Sequence, residues 1–183
     1  MIEDAPHFLA SWSNFYVMTG SSAAALVGLM FVVITLVTRM ETVQMETSQR
    51  MDGVATYSTP TVTHFGAALF ISAVLEAPWH LLIDAAFLIG LCGLFGVVYV
   101  ARVIVRTRRL TAYSPDPEDW IWYTIVPLVA YGAVLIGAVL LPVMPVRALF
   151  TIAGAVVLLI FTGIRNAWDV VTYLAVVGPN RQG

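Results

Sequence analysis

Five runs of apolar residues, separated by short polar stretches, dominate the pattern of this chain, at about residues 15–38, 60–75, 81–105, 120–141 and 148–170. A helix crossing the hydrocarbon of a bilayer needs about 20 predominantly apolar residues, and each run except the second reaches that length. The end of the fifth run falls anywhere between Gly163 and Val177. The pattern predicts an all-α fold, a polytopic bundle of about five transmembrane helices that makes residues 1–183 one integral membrane domain.

The connections are short and carry helix-ending signals. Leu141-Pro142-Val143-Met144-Pro145 reads as a tight turn, because proline neither continues a helix comfortably nor supplies an amide donor. Ser114-Pro115-Asp116-Pro117-Glu118-Asp119 reads as a helix start, with Asp116 as N-cap, Pro117 at the first helical position and two acids complementing the dipole. The longest polar stretch, Arg39 to Ser58, has Met40, Val43, Thr47 and Met51 near helical spacing. It reads either as a solvated connector or as a short amphipathic helix lying on the membrane surface. The acids Glu3 and Asp4 ahead of the first run, and the absence of a small-residue cleavage site after it, make that run a retained span rather than a signal peptide.

Composition agrees: 60% of residues are hydrophobic and 11% charged, against about 45–50% and 25% in a soluble domain. All nine basic residues are arginine, and they orient the spans. Positive charge is retained on the cytoplasmic side. With the N-terminus outside, Arg39, Arg50, Arg102, Arg106, Arg108, Arg109, Arg165 and Arg181 fall inside and only Arg147 outside. Removing the short second span would put the Arg102 to Arg109 cluster outside, so the charges favour five spans with a cytoplasmic C-terminus. Trp12 and Trp79 then sit at outer ends, and Trp120, Trp122 and Trp168 at inner ends, where tryptophan is favoured. A net charge of −2 argues against a nucleic-acid partner, whereas arginines near the inner surface would attract anionic lipid.

Three groups of residues could carry function. Gly20, Ala24 and Gly28 recur every four residues in the first run, and small residues so spaced let another backbone approach closely. Gly90, Gly93 and Gly96 in the third run, with Ala133 and Gly137 in the fourth, add similar faces. Close packing within one bundle and self-association are both open. The second group is Arg165, Asn166 and Asp169. Arg165 and Asp169, four apart, can pair on one helix face, either snorkelling to the interface, buried as a structural pair, or lining an ion or substrate path. The third is Glu76, His80 and Asp84. On one unbroken helix they would share a face and could hold a metal, but Pro78 interrupts it, leaving His80 and Asp84 as a weak pair on an outer polar rim.

No cofactor is expected. His64 and His80 stand sixteen residues apart, about 24 Å along a helix, so they cannot share a haem iron, and His7 lies on the wrong side to help His64. The single cysteine, Cys92, excludes a disulfide within the chain. No P-loop, H-E-x-x-H or G-x-S-x-G motif occurs, and an enzyme is the least supported class.

Trp12-Ser13-Asn14-Phe15-Tyr16, followed by Ser22-Ala23-Ala24-Ala25-Leu26-Val27-Gly28-Leu29-Met30-Phe31-Val32-Val33, resembles the opening of a family of small bacterial multi-pass membrane proteins. Gly163-Ile164-Arg165-Asn166-Ala167-Trp168-Asp169 is similar to a second stretch of the same family. Some members carry the label modulator of the FtsH membrane protease. The resemblance implies a protein of the bacterial inner membrane and a larger membrane protein as partner. The sequence reading is thus a non-enzymatic inner-membrane protein acting through helix association, as a homo-oligomer or with a larger partner. The alternative is an oligomeric channel or small-solute transporter in which Arg165, Asn166, Asp169, Glu76, Asp84 and His64 line a path.

Overall fold

A computed structural model describes residues 5–42, 48–108 and 120–177, with side chains over 8–35, 60–105, 120–169 and 171–172. Among the described residues the chain is helical, without strands. A short α1 (Ala5–Ala10) precedes α2 (Ser13–Thr42), α3 (Ser48–Glu76), α4 (Leu82–Arg108), α5 (Val126–Leu140) and α6 (Pro145–Val177). A π-helical turn, Ile121–Ile125, leads into α5. There the Val126 amide donates to the Ile121 carbonyl five residues back, and Pro127, which has no N–H, follows at once. The predicted helix start at Asp116 and Pro117 lies outside the described residues.

Four segments are long and apolar enough to cross a membrane: Ser13–Thr35, Leu82–Val105, Ile121–Leu140 and Pro145–Asp169. The apolar part of α3, Pro60–Glu76, is shorter, but α3 itself does not start there. It begins at Ser48 and runs through Pro60 without a break. The stretch Arg39 to Ser58 is therefore no single connector, since α2 extends to Thr42 and α3 takes residues from Ser48 onward. Proline sacrifices one amide donor but keeps a helical φ, so a long helix can absorb it.

The other breaks fall where proline dictates. Glu76 closes α3, Pro78 sits in the link, and α4 starts at Leu82. Pro142 lies in the turn after α5, where the Val143 and Met144 amides both reach the Leu140 carbonyl at 3.0 and 2.7 Å. Pro145 then opens α6, at the one place in a helix that needs no amide.

Helices α3, α6, α5 and α4 close into a four-sided ring, with the α4–α3 side the lightest, and α2 packs outside on α3 while touching α6. Residue pairings make neighbours in the ring antiparallel. Gly90, Gly93 and Gly96 of α4 face Ala138, Leu135 and Tyr131 of α5, Gly137 of α5 faces Ile152 of α6, and Gly163 of α6 faces Phe65 of α3. Along one side of α3, Phe65, Ala68, Ile71 and Leu75 are fully buried and form the spine of the core.

The surface inverts the arrangement of a water-soluble domain. Phe87, Phe95, Val139, Phe150 and Phe161 are exposed, each by more than 60% of its surface, while Asn166, Thr61 and His64 are buried. An apolar exterior around a partly polar interior is what a lipid solvent requires, and the chain is a multi-pass helical membrane protein. Tryptophans gather at the two ends of the bundle: Trp12 packs on Phe150 near the starts of α2 and α6, with Trp79 in the neighbouring α3–α4 link. Trp120 and Trp122 accompany Tyr123, which reaches α6 one residue beyond Trp168.

Candidate functional site

The polar side chains of the interior concentrate where α3, α5 and α6 meet, toward the end of the bundle that carries Arg165. His64 on α3 is 2% exposed, and its Nδ1 is hydrogen-bonded to the Tyr131 hydroxyl of α5 at 3.1 Å. Tyr131 reaches that partner because Gly96 of α4 leaves room for its ring, which fills the space a Cβ would occupy. Thr61 lies three residues from His64 and four from Phe65, on the same side of α3. Asn166 follows Gly163 by three residues on the side of α6 that faces α3.

Thr61 and Asn166 are both fully buried, and neither the Thr61 hydroxyl nor either polar atom of the Asn166 amide has a hydrogen-bond partner. Thr162, one turn before Asn166, differs: its hydroxyl donates to the Leu158 carbonyl at 2.7 Å.

On either side of Asn166 in the sequence, Arg165 and Asp169 form the ion pair expected from their spacing, with Arg165 Nη1 on Asp169 Oδ1 and side chains 32% and 30% exposed. Tyr123, from the π-helical turn, donates a long hydrogen bond of 3.5 Å to Asp169 Oδ2. The pair is neither sealed in the core nor fully in solvent, and at such a boundary it compensates its own charge.

The third group does not assemble. Glu76 accepts a 2.6 Å hydrogen bond from the Ser13 hydroxyl of α2, while His80 and Asp84 stand exposed, Asp84 in the first turn of α4. No cluster of three or more metal-binding side chains occurs among the described residues. A second internal polar group links α2 to its neighbours at this end: the Thr19 and Ser72 hydroxyls are 3.1 Å apart, and the Tyr16 hydroxyl donates to the Leu149 carbonyl at 3.3 Å.

The small-residue strip of α2 divides. Gly20 is buried against Ser72, whose Cβ would stand 3.0 Å from an added methyl, whereas Ala24 and Gly28 are exposed and a Cβ on Gly28 would meet nothing within 4 Å. Ala23, rather than Ala24, turns into the core. Phe65 packs against Gly163 so closely that no Cβ would fit, and Tyr131 is the partner of His64, two roles that the sequence pattern does not assign. Gly163 lies two and three residues before Arg165 and Asn166, and that proximity is its signal in the sequence. Tyr131 had none, because its role depends on which helix faces α3.

No family model, curated protein or solved structure matches the chain.

Proposed function

We propose that the chain is a five-span, non-enzymatic protein of a bacterial inner membrane that works through helix contacts, with a second copy of itself or with a larger membrane protein such as a protease it modulates. The Arg165 end of the bundle faces the cytoplasm in this reading, following the arginine count. The observation that carries the proposal is the outward half of the α2 strip. Ala24 and Gly28 lie exposed beside Ser21 and Ala25, on a peripheral helix whose other side is packed on α3. Glycines at the internal crossings are covered, as at Gly93, Gly96, Gly137 and Gly163, while Gly28 is left open. Gly66, Gly132 and Gly154 are open too, but none has exposed small neighbours three and four residues away to make a flat strip. In lipid, where apolar contact between helices gains little, close backbone approach across such a strip is a main source of association.

Gly28→Leu tests it, because the added side chain points away from the chain's own core. Crosslinking in native membranes, followed by native mass spectrometry, should show the oligomer or the partner complex weakened while the fold is retained. Unchanged assembly refutes the role of the strip.

The second reading, an oligomeric channel or transporter, draws on the buried Asn166 and the Arg165–Asp169 pair. Against a route through one bundle stands the buried side of α3 beyond His64, where Phe65, Ala68 and Ile71 are apolar and fully enclosed. Reconstituted vesicles without flux of common ions would remove this reading.

A further inference from the structure

We infer that the seam between α3 and α6 is a water-binding site: water held by Asn166 and Thr61, entering from the Arg165–Asp169 end and extending to the His64–Tyr131 pair but no further. The close contact of Gly163 with Phe65 fixes the register of the two antiparallel helices. Measured from it toward the Arg165 end, Thr61 lies four residues on and Asn166 three, a rise of about 6 Å and about 4.5 Å. The two therefore stand at nearly the same level on facing sides. Both are 0% exposed, and between them they present three polar atoms with no protein partner.

Thr61 departs from a pattern that five other described threonines share. Thr19, Thr35, Thr151, Thr162 and Thr172 each donate to the carbonyl one turn earlier, at 2.7 to 3.0 Å, and Thr61 does not. Burial of unpaired amide and hydroxyl groups is costly, and internal water is the common remedy, each molecule joining about three such groups. An amide that donates and accepts, opposite a hydroxyl that does both, suits water. An ion does not fit, because neither side chain is charged and the adjacent Arg165 and Asp169 neutralise each other.

The route in and its end follow from the same register. Asp169 is three residues from Asn166 on the same side of α6, and it and Arg165 are each about a third exposed, so a charged, partly open end of the bundle lies within one helical turn of the site. In the other direction His64 is the next buried polar group on α3, and beyond it Phe65, Ala68 and Ile71 close that side of the core. The seam is a pocket wet from one end.

Hydroxyl-radical footprinting of the full chain in lipid nanodiscs tests this, because radicals formed from bound water label the side chains beside it. Tyr131 and Tyr16 provide a matched pair of the same type, 0% and 1% exposed. Tyr131 should be labelled severalfold faster than Tyr16, and Asn166→Leu or Thr61→Val should bring it down toward Tyr16. Equal slow labelling of the two tyrosines in the unmodified protein overturns the site, with no variant needed. Fast labelling of Tyr131 that persists in folded Thr61→Val and Asn166→Leu also overturns it, since the water then lies elsewhere.

Discussion

Placing one methyl group on Gly96 should destabilise the bundle, and the same change six residues earlier should not. At Gly96 an added Cβ would overlap the Cγ, Cδ1 and Cε1 atoms of Tyr131. That ring is fully buried and tied to His64 through its hydroxyl, so it cannot swing aside without orphaning both groups. Helix α4 would have to withdraw, and withdrawal would loosen the neighbouring crossing where Gly93 lies against Leu135, 2.9 Å from the position of its own Cβ. Overpacking of this kind costs about 1–3 kcal/mol, while replacing glycine by alanine in a helix returns about 1 kcal/mol. The net loss for Gly96→Ala is therefore up to about 2 kcal/mol.

At Gly90 the nearest atom, the Ala138 Cβ, would stand at 3.7 Å, an ordinary contact, so Gly90→Ala keeps the propensity gain of up to about 1 kcal/mol. The propensity gain is common to both, so the two variants should differ by the overpacking cost of about 1–3 kcal/mol, about 5- to 150-fold in the folding equilibrium, since about 1.4 kcal/mol is tenfold. Reversible unfolding in mixed micelles titrated with sodium dodecyl sulfate, followed by tryptophan fluorescence, measures both on one scale. Equal midpoints for the two variants, or a more stable Gly96→Ala, would refute the reasoning that Tyr131 is wedged between α4 and α3.

Other perturbations separate the remaining interactions. Tyr131→Phe removes the partner of the buried His64 and should cost about 1–3 kcal/mol, and pairing it with His64→Phe should recover part of that loss in the same micelle titration. Asp169→Asn breaks a partly exposed ion pair and should cost no more than about 1 kcal/mol, with a double-mutant cycle against Arg165→Gln giving a coupling that shrinks in high salt. Gly28→Leu should leave the unfolding midpoint of the monomer within about 0.5 kcal/mol, as expected for a surface change away from packed groups, and lower only the crosslinked fraction in membranes. A midpoint shift as large as that of Gly96→Ala would place Gly28 inside the bundle.

The sequence by itself determined the solvent of this protein and the outline of its helices. Long apolar runs require intrasegment backbone pairing in lipid, and Pro78, Pro142 and Pro145 mark breaks by removing donors, so α4, α5 and α6 begin or end close to where the pattern puts them. The Arg165–Asp169 pair was equally legible, because a four-residue spacing is settled within one helix. The length of α3 was not: Pro60 reads as a boundary, yet the helix runs through it from Ser48.

What only the tertiary structure decided is the rotation of each helix against its neighbours. In water the apolar stripe of a helix announces its buried side. In lipid both the core and the surroundings are apolar, so the pattern carries no such mark. That is why Gly20 and Gly28, alike in sequence, part company, one under Ser72 and the other in the open. The same ambiguity hid the meeting of His64 with Tyr131 across 67 residues, and the burial of Asn166 and Thr61 on facing sides of α3 and α6, where register between helices sets the chemistry of the core.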